Sequence, residues 1–598
     1  MADLLRSRPM NENGGELAAG RRGCGRAAKV SYSGTCQEAG AGLGAAAVAT
    51  VALAVRLAYI AETHAVPTLR HLVGDAAGYL EWGRSIAAGA WLGSEAFYQA
   101  PLYPYVLGAV IAAGGESVGT IRLVQAVWGS IAVGCLGVAA TRLLGRGPGL
   151  LAGLMLALYP PAIFFDGVIQ KASLAGLLTC VLLVLMSRRA PGAGPAAVIG
   201  AVMGLLVLTR ENAAVWAPVL LAWMVVTGRS IGRSARLAPA AAGAAGMALV
   251  LLPVGARNLA VGGEWSLSTF QMGPNLYIGN RGGADGRYRP LVRGHETPAY
   301  ERADATRLAE QATGRPMTPR EVSRYWTGRA LADIRADPAA WVGLMGRKFL
   351  MVWNRYEVAD AESQYVYAAD SFVLRCLGRV WHLGVLGPLA AVGLIGTWSE
   401  RRRLWVYYVL IASMAAAVAL FYVMARYRHP LVLLLIPFAA AGCFEVWRLA
   451  GRRAWAPLAS RLALAGLVGL AVNLPIHDEP RLNALAFMNV GVALAEAGDL
   501  PAATPYFASA VERHPGSAEA RNNLAQALAL DGRYAEAIPH YRAALAVDPT
   551  LTGVDYNLAV ALERLGRTAE ALNHYRRGAA LDPTDQAAAA AVRRIEGR

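Results

Sequence analysis

The feature that most constrains this chain is an alternation: long apolar runs separated by connections of which every second one is basic. The runs lie near residues 41–61, 120–141, 148–165, 172–187, 195–209, 212–227, 236–254, 382–398, 404–424, 429–447 and 456–474. Runs of this kind read as transmembrane helices, about eleven in all. Arg142 and Arg146, Arg188 and Arg189, Arg229 with Arg233 and Arg236, Arg401 to Arg403, and Arg448 with Arg452 and Arg453 then share a side with the N-terminus. Basic residues collect in cytoplasmic loops, so that side is cytoplasmic and the other connections are extracytoplasmic. The alternation requires residues 101–115 (PLYPYVLGAVIAAGG) to stay on one side. They are short for a span and read as interfacial or re-entrant, with Tyr98, Tyr103 and Tyr105 at headgroup level.

Composition agrees with a membrane protein that has a soluble part. Apolar residues make up 55% and charged residues 16%, against roughly 25% charged in an ordinary soluble domain. That balance excludes a disordered tail protein, a fibre and a wholly cytosolic enzyme. The net charge, 57 − 41 = +16, is explained by the topology bias, and no basic, aromatic-interleaved module invites a nucleic-acid partner. The cysteines (Cys24, Cys36, Cys135, Cys180, Cys376, Cys443) have neither metal-ligand spacing nor paired placement. Residues 1–40 form a basic tail without a short apolar region and cleavage site, so the run that follows reads as a retained span.

The C-terminal part repeats itself. Asn489, Asn523 and Asn557 begin matching helices, Gly498, Gly532 and Gly566 occupy matching turns, and Pro515, Pro549 and Pro583 close each unit. The step of about 34 residues is that of the tetratricopeptide repeat. Ala503, Ala537 and Ala571 fall where two helices approach, and Phe507, Tyr541 and Tyr575 fill the groove beside them. Three units suffice to bury a continuous core and to present a concave surface to a protein or peptide partner. The expected fold is an all-α polytopic membrane protein with an extracytoplasmic loop domain and a C-terminal α-solenoid. Its parts are a tail (1–40), an N-terminal membrane module with outward loops (41–255), the loop domain (256–381), further membrane helices (382–475) and the repeats (484–598).

Ionisable residues at the outward ends of the runs are candidates for chemistry. In a helix over residues 75–87, Asp75 and Tyr79 share a face, and a bland reading makes Asp75 a helix cap. Arg210, Arg426 and Arg428 stand at the outer ends of two runs, and Arg56 lies within the first. Snorkelling to headgroups is the alternative for each, about as good as function for Arg56. The outward loop Phe165 to Ala172 supplies Asp166 and Lys171. The glycines after Arg257 lack phosphate-loop spacing; that segment reads as a lid over the outward cavity, with Asn275 and Asn280 in it. His382 and His429 read as interfacial histidines, since neither has a helical metal-ligand partner.

The order of these motifs resembles a known family. Asp75-x-x-x-Tyr79, Gly89, Pro101-Leu-Tyr103-Pro104, Leu208-Thr-Arg210-Glu-Asn212, Ala256-Arg257-Asn258, Gly273-Pro-Asn275-Leu-Tyr277-Ile-Gly279-Asn280, Lys348 to Asn354 and Ala425-Arg426-Tyr427-Arg428-His429-Pro430 follow one another. The pattern resembles C-type glycosyltransferases that use polyprenyl-phosphate sugars, in the branch of protein mannosyltransferases and the lipid A aminoarabinose transferase. It covers most of residues 45–450, and bacterial members of that branch likewise end in tetratricopeptide repeats. The resemblance implies a bacterial inner-membrane enzyme, with its repeats extracytoplasmic, that moves a sugar from a polyprenyl-phosphate donor to a periplasmic protein, lipid or glycan. It implies Asp75 as general base or metal ligand, Asp166 as a second acidic group, and a divalent metal (Mg or Mn) between them. Arg210, Arg426, Arg428, Arg56 and Lys171 would bind phosphate, with Tyr79, Asn275 and Asn280 around the substrate. The chain departs from the pattern at Ala172, where family members commonly carry Glu after the Lys, which puts the second acidic role and the metal in question. A transporter or flippase, and a non-catalytic membrane scaffold that recruits partners through its repeats, are the rival classes.

Overall fold

The computed structural model describes residues 34–598 apart from positions 73, 189–190, 228–232, 293–294, 296–297, 361, 583–585 and 598. The basic tail, Arg189, Arg229 and Pro583 therefore lie outside the described residues. The chain divides into Met1–Gly40, whose described residues are helical from Gly34, and Ala41–Arg598; all that follows concerns the second unit.

The described residues form helices and turns, with no strand. Six helices are long and apolar enough to cross a membrane: Gly42–Glu62, Val118–Leu144, Arg236–Gly262, Trp398–Leu420, Ala425–Gly451 and Trp455–Val472. Two bent pairs, Arg146–Ala157 with Pro160–Gly167 and Phe372–Val380 with Leu383–Gly396, raise the number to eight. Three shorter apolar helices fall on the other expected runs, so each of the eleven runs is helical among the described residues. The remaining runs, Ala172–Met186, Ala193–Thr209 and Glu211–Thr227, are of 17 residues or fewer, roughly 22–26 Å long against a hydrocarbon core of about 30 Å. The breaks have local causes: Pro160 and Pro161 cannot continue the preceding helix, and the chain is extended at Arg210 before a short 3-10 turn. Leu102–Gly114 is likewise a short apolar helix. Tyr103 is fully buried, donating to Gln125 Oε1 at 2.6 Å.

The helices Ala425–Gly451 and Val118–Leu144 bury much of their surface inside the protein, and one apolar cluster extends from Val48 to Ala440 across the membrane helices. Between residues 263 and 371 the chain folds outside the spans. Its longest helices are Pro298–Thr313, Pro319–Ala336 and Pro338–Trp353, the second opened by a capping box between Thr318 and Glu321. The C-terminal array is three helix pairs, Glu479–Glu496 with Leu500–Arg513, Ala518–Leu530 with Tyr534–Val547, and Val554–Arg564 with Thr568–Leu581, followed by Gln586–Glu596. Ala503, Ala537 and Ala571 are buried where the helices touch, with Phe507, Tyr541 and Tyr575 beside them. Gly498, Gly532 and Gly566 turn each pair with φ of 75–81°, a conformation that β-carbons disfavour.

Candidate active site

The breaks in the apolar helices place charged side chains together. Gly74 takes a φ of 57° and starts the helix Gly74–Ala87, with Asp75 in its first turn. Asp75 makes an ion pair with Arg426, at the start of Ala425–Gly451, and accepts from Gln99 Nε2 at 3.5 Å. Burial pushes the Asp75 carboxyl upward, and the charge and hydrogen bond of Arg426 outweigh that, holding it below the ordinary carboxylate range. The same guanidinium reaches Asp360 at 2.8 Å.

Arg210 also stands against Tyr427. Its guanidinium lies 5.3 Å and that of Arg426 5.2 Å from the Tyr427 ring centre. Arg210 is 1% exposed, and among the described residues none of its three side-chain nitrogens has a hydrogen-bond partner. Lys171, at the head of Ala172–Met186, sits over the Tyr79 ring at 5.9 Å and 3.9 Å from Glu211. Glu211 is anchored in turn by Gln271 Nε2 at 2.5 Å and Thr269 Oγ1 at 3.3 Å. The Tyr79 hydroxyl is buried without a partner, its ring edge-on to Tyr103. Asp75, Tyr79, Lys171, Arg210 and Arg426 thus come from four chain segments into one cluster. Asp75 and Arg426 line a cavity of about 490 Å³, its open mouth included, which Phe165, Gln170, Asp360 and Glu362 help enclose.

Other expected site residues are placed elsewhere. Asp166 Oδ2 pairs with Arg56 at 2.7 Å and Oδ1 accepts from Ser173 at 2.6 Å. Arg56 also donates to the Ala52 and Ala157 carbonyls, so this buried pair ties the first span to the bent one. Arg428 is held by Glu357 at 2.7 Å and by the carbonyls of Met351, Val352, Asn354 and Tyr356. It pins residues 351–357 from beneath. Asn280 accepts from Trp341 Nε1 and Lys348 Nζ, both at 3.0 Å, and donates to the Leu276 and Leu420 carbonyls. Burial lowers the Lys348 ammonium to about 7. Asn275 accepts from Tyr422 Oη at 3.1 Å, and Tyr422 lies 3.4 Å from the Tyr427 hydroxyl.

A divalent metal between Asp75 and Asp166 does not fit. Each carboxylate has one oxygen paired with a guanidinium and the other bonded by Gln99 or Ser173, leaving neither free for a hard cation, and among the described residues no three His, Cys, Asp or Glu converge on a metal position. The sequence reading missed Gln99, Glu211, Asp360, Glu362 and Tyr427. The one linear signal for Asp360 and Glu362 was three carboxylates within six residues, Glu357 to Glu362, in a loop.

Residues 98–255 match the dolichyl-phosphate-mannose-protein mannosyltransferase family, and residues 481–551 and 528–595 match tetratricopeptide repeats. The first of these matched segments lies in the membrane part of the chain. It contains Lys171 and Arg210, whereas Asp75 and Arg426 reach its cluster from outside the matched segment. No match is found among curated proteins. Among solved structures, an oligosaccharyltransferase of Archaeoglobus fulgidus tethered to an acceptor peptide is 15% identical, with 71% of this chain and 54% of that one covered and a TM-score of 0.37. The chain thus spans about half the length of that relative. ArnT from Cupriavidus metallidurans, bound to undecaprenyl phosphate, is 18% identical, with 68% and 78% covered and a TM-score of 0.32. YrrB, a tetratricopeptide repeat protein with a peptide-binding site, is 18% identical over 35% of this chain and 91% of its own, TM-score 0.18. Another structure of the Archaeoglobus enzyme is a complex with Zn and sulfate.

Proposed function

We propose that this chain is a glycosyltransferase of the bacterial inner membrane that takes a sugar from a polyprenyl-phosphate donor and places it on an acceptor at the extracytoplasmic face. The observation that carries this reading is Arg210. A buried guanidinium with no acceptor for any nitrogen is costly, by several kcal/mol, unless an anion completes it. Arginine's rigid fork and permanent charge suit phosphate. With Arg426 against the same Tyr427 ring and Lys171 over Tyr79, it forms a cradle for the phosphate that leaves with the lipid.

Asp75 supports the other half of the reaction. It faces the cavity with its orientation fixed by Arg426 and Gln99, and an acceptor hydroxyl bonded to it would be turned toward the sugar. Arg428 serves as a scaffold for the loop that carries Asp360. The segments in this cluster are those that the basic-loop alternation assigns to one side of the membrane, which supports an extracytoplasmic site and, by the same count, extracytoplasmic repeats. The repeats then take a protein or peptide partner on their concave face.

The test is release of undecaprenyl phosphate from a panel of labelled undecaprenyl-phosphate hexoses and pentoses by the purified full chain. Asp75→Asn should lower turnover by about 10²-fold or more while binding of peptides to the repeats is unchanged. Turnover retained in that variant removes Asp75 from the chemistry; a wild type silent across the panel sinks the reading and favours a transporter or a scaffold.

A further inference from the structure

Four carboxylates stand on the wall of the cavity: Asp75, Glu357, Asp360 and Glu362. Three of them are tied to cations. Asp75 and Asp360 share Arg426, and Glu357 holds Arg428. Glu362 forms no such pair among the described residues. Its partner is the buried Tyr367 hydroxyl, which donates to it at 3.1 Å and itself accepts from Thr68 Oγ1 at 3.1 Å. Arg122, the cation that acts on Glu362 through space, is engaged by the Gly167 carbonyl at 2.7 Å and the Thr63 hydroxyl. The orientation of Glu362 is therefore fixed while its charge is left uncompensated.

The transfer reaction needs a destination for one proton. As the acceptor oxygen bonds to the anomeric carbon, the bond from that carbon to the phosphate oxygen breaks, its electron pair leaves with the lipid phosphate, and the acceptor O–H loses its proton. Asp75 orients that hydroxyl, but a carboxylate stabilised as an anion by a guanidinium holds a proton poorly. We propose that Glu362 receives the proton: the acceptor hydroxyl, bonded to Asp75, gives its proton to Asp75 as the glycosidic bond forms, and Asp75, which Arg426 favours as the anion, passes it across the shared cavity to the Glu362 carboxylate. The neutral carboxyl then releases it to water at the cavity mouth, leaving glycoside, lipid phosphate and one proton. Glu362 thereby holds the reacting proton, and Asp75 and Arg426 set the geometry and the relay. The inference rests on the transfer reading above.

The electrostatics fit this role. Burial, reinforced by Asp360 and Asp75 and opposed by the Tyr367 hydrogen bond and Arg122, lifts the Glu362 carboxyl to about 7. The groups acting on it or facing it are Tyr59, Tyr103, Tyr367, Arg122, Asp360 and Asp75, and phenols and guanidinium do not titrate near neutrality. The proton-accepting form is the carboxylate, so the rate falls as pH drops through about 7.

The experiment measures hydrolysis of the same labelled undecaprenyl-phosphate sugars, with water as acceptor, by the purified full chain from pH 5.5 to 9. The wild type should lose activity below an acid limb near 7. Glu362→Gln should turn over about 10²-fold more slowly at pH 7.5, with the limb gone and an unchanged melting temperature in detergent. Glu362→Asp should recover part of the rate together with an acid limb, and it serves as the readout should the Gln variant not fold. A Gln or Asp variant with wild-type rate and limb overturns the proposal for Glu362 alone. A wild type inactive on every donor overturns the transfer reading itself.

Discussion

An arginine enclosed by protein with all three nitrogens unbonded is the least expected residue in this structure, because desolvation without compensation disfavours the folded state. Arg210 therefore makes a quantitative prediction. Charge-assisted hydrogen bonds contribute about 1.5–3 kcal/mol each, so Arg210→Ala should weaken binding of undecaprenyl phosphate roughly ten- to hundredfold. Arg210→Lys should recover part of that, having charge without the fork. Because the empty site carries the desolvation cost, Arg210→Ala should also raise the melting temperature of the ligand-free protein; thermal shift with and without the lipid reads both effects, and an unaltered lipid response would detach Arg210 from phosphate. Arg210 and Arg426 were legible in the sequence because ionisable groups at the ends of apolar runs stand out against their neighbours, and Asp75 through the Asp-x-x-x-Tyr motif that carries the family resemblance. Glu362 and Asp360 were not, since they sit in a polar segment with no periodicity linking them to residues almost three hundred positions earlier. Arg428 was legible as important but not as a scaffold, because its partners are mostly backbone carbonyls, and every residue supplies those.

At the scale of helices, the interruptions matter more than the spans. The break at Pro160 and Pro161 was readable from the prolines, whereas the extended backbone at Arg210 follows no breaker and depends on the packing around it. The bent span is fastened to the first by Arg56 and Asp166, and Gly129 of Val118–Leu144 makes room for that pair. A β-carbon at Gly129 would lie 1.8 Å from Asp166 Oδ2 and 2.6 Å from Arg56 Nε. Gly129→Ala must therefore displace a buried ion pair, a change that costs about 3–5 kcal/mol when one partner is left uncompensated. The expected outcome is a clear loss of thermal stability in detergent, and a melting temperature equal to that of the wild type would show that the pair can shift without cost. The repeat helices were legible for the opposite reason: each unit restates the same small and aromatic residues at the same spacing, so the pattern needs no long-range packing to be seen.

On the scale of the whole molecule, the membrane part and the repeat array meet at the loop that lines the cavity. The Arg355 amide donates to the Val472 carbonyl and Asn354 Nδ2 to the Leu474 carbonyl, both at 2.8 Å. Arg355 then pairs with Glu479 at 2.8 Å, and Tyr356 Oη donates to Asn483 Oδ1 at 2.9 Å. Glu479 and Asn483 belong to the first repeat helix, so a partner that shifts this helix pulls on a loop whose next residues are Glu357, Asp360 and Glu362. Arg428 holds the same loop from the membrane side, and its position is the resultant of the two. The Arg355–Glu479 pair is partly exposed and contributes at most about 1 kcal/mol, with a similar amount from the Tyr356 bond. Their joint loss leaves the fold intact but shifts the loop's population by up to roughly thirtyfold. Glu479→Ala combined with Asn483→Ala, in the full chain, should thus lower kcat several-fold, leave undecaprenyl phosphate affinity at the Arg210 cradle unchanged, and leave the melting temperature nearly so. Unchanged kcat in this double variant would mean that the repeats are carried beside the site without mechanical connection to it, and that Arg428 alone determines where the acidic wall of the cavity stands.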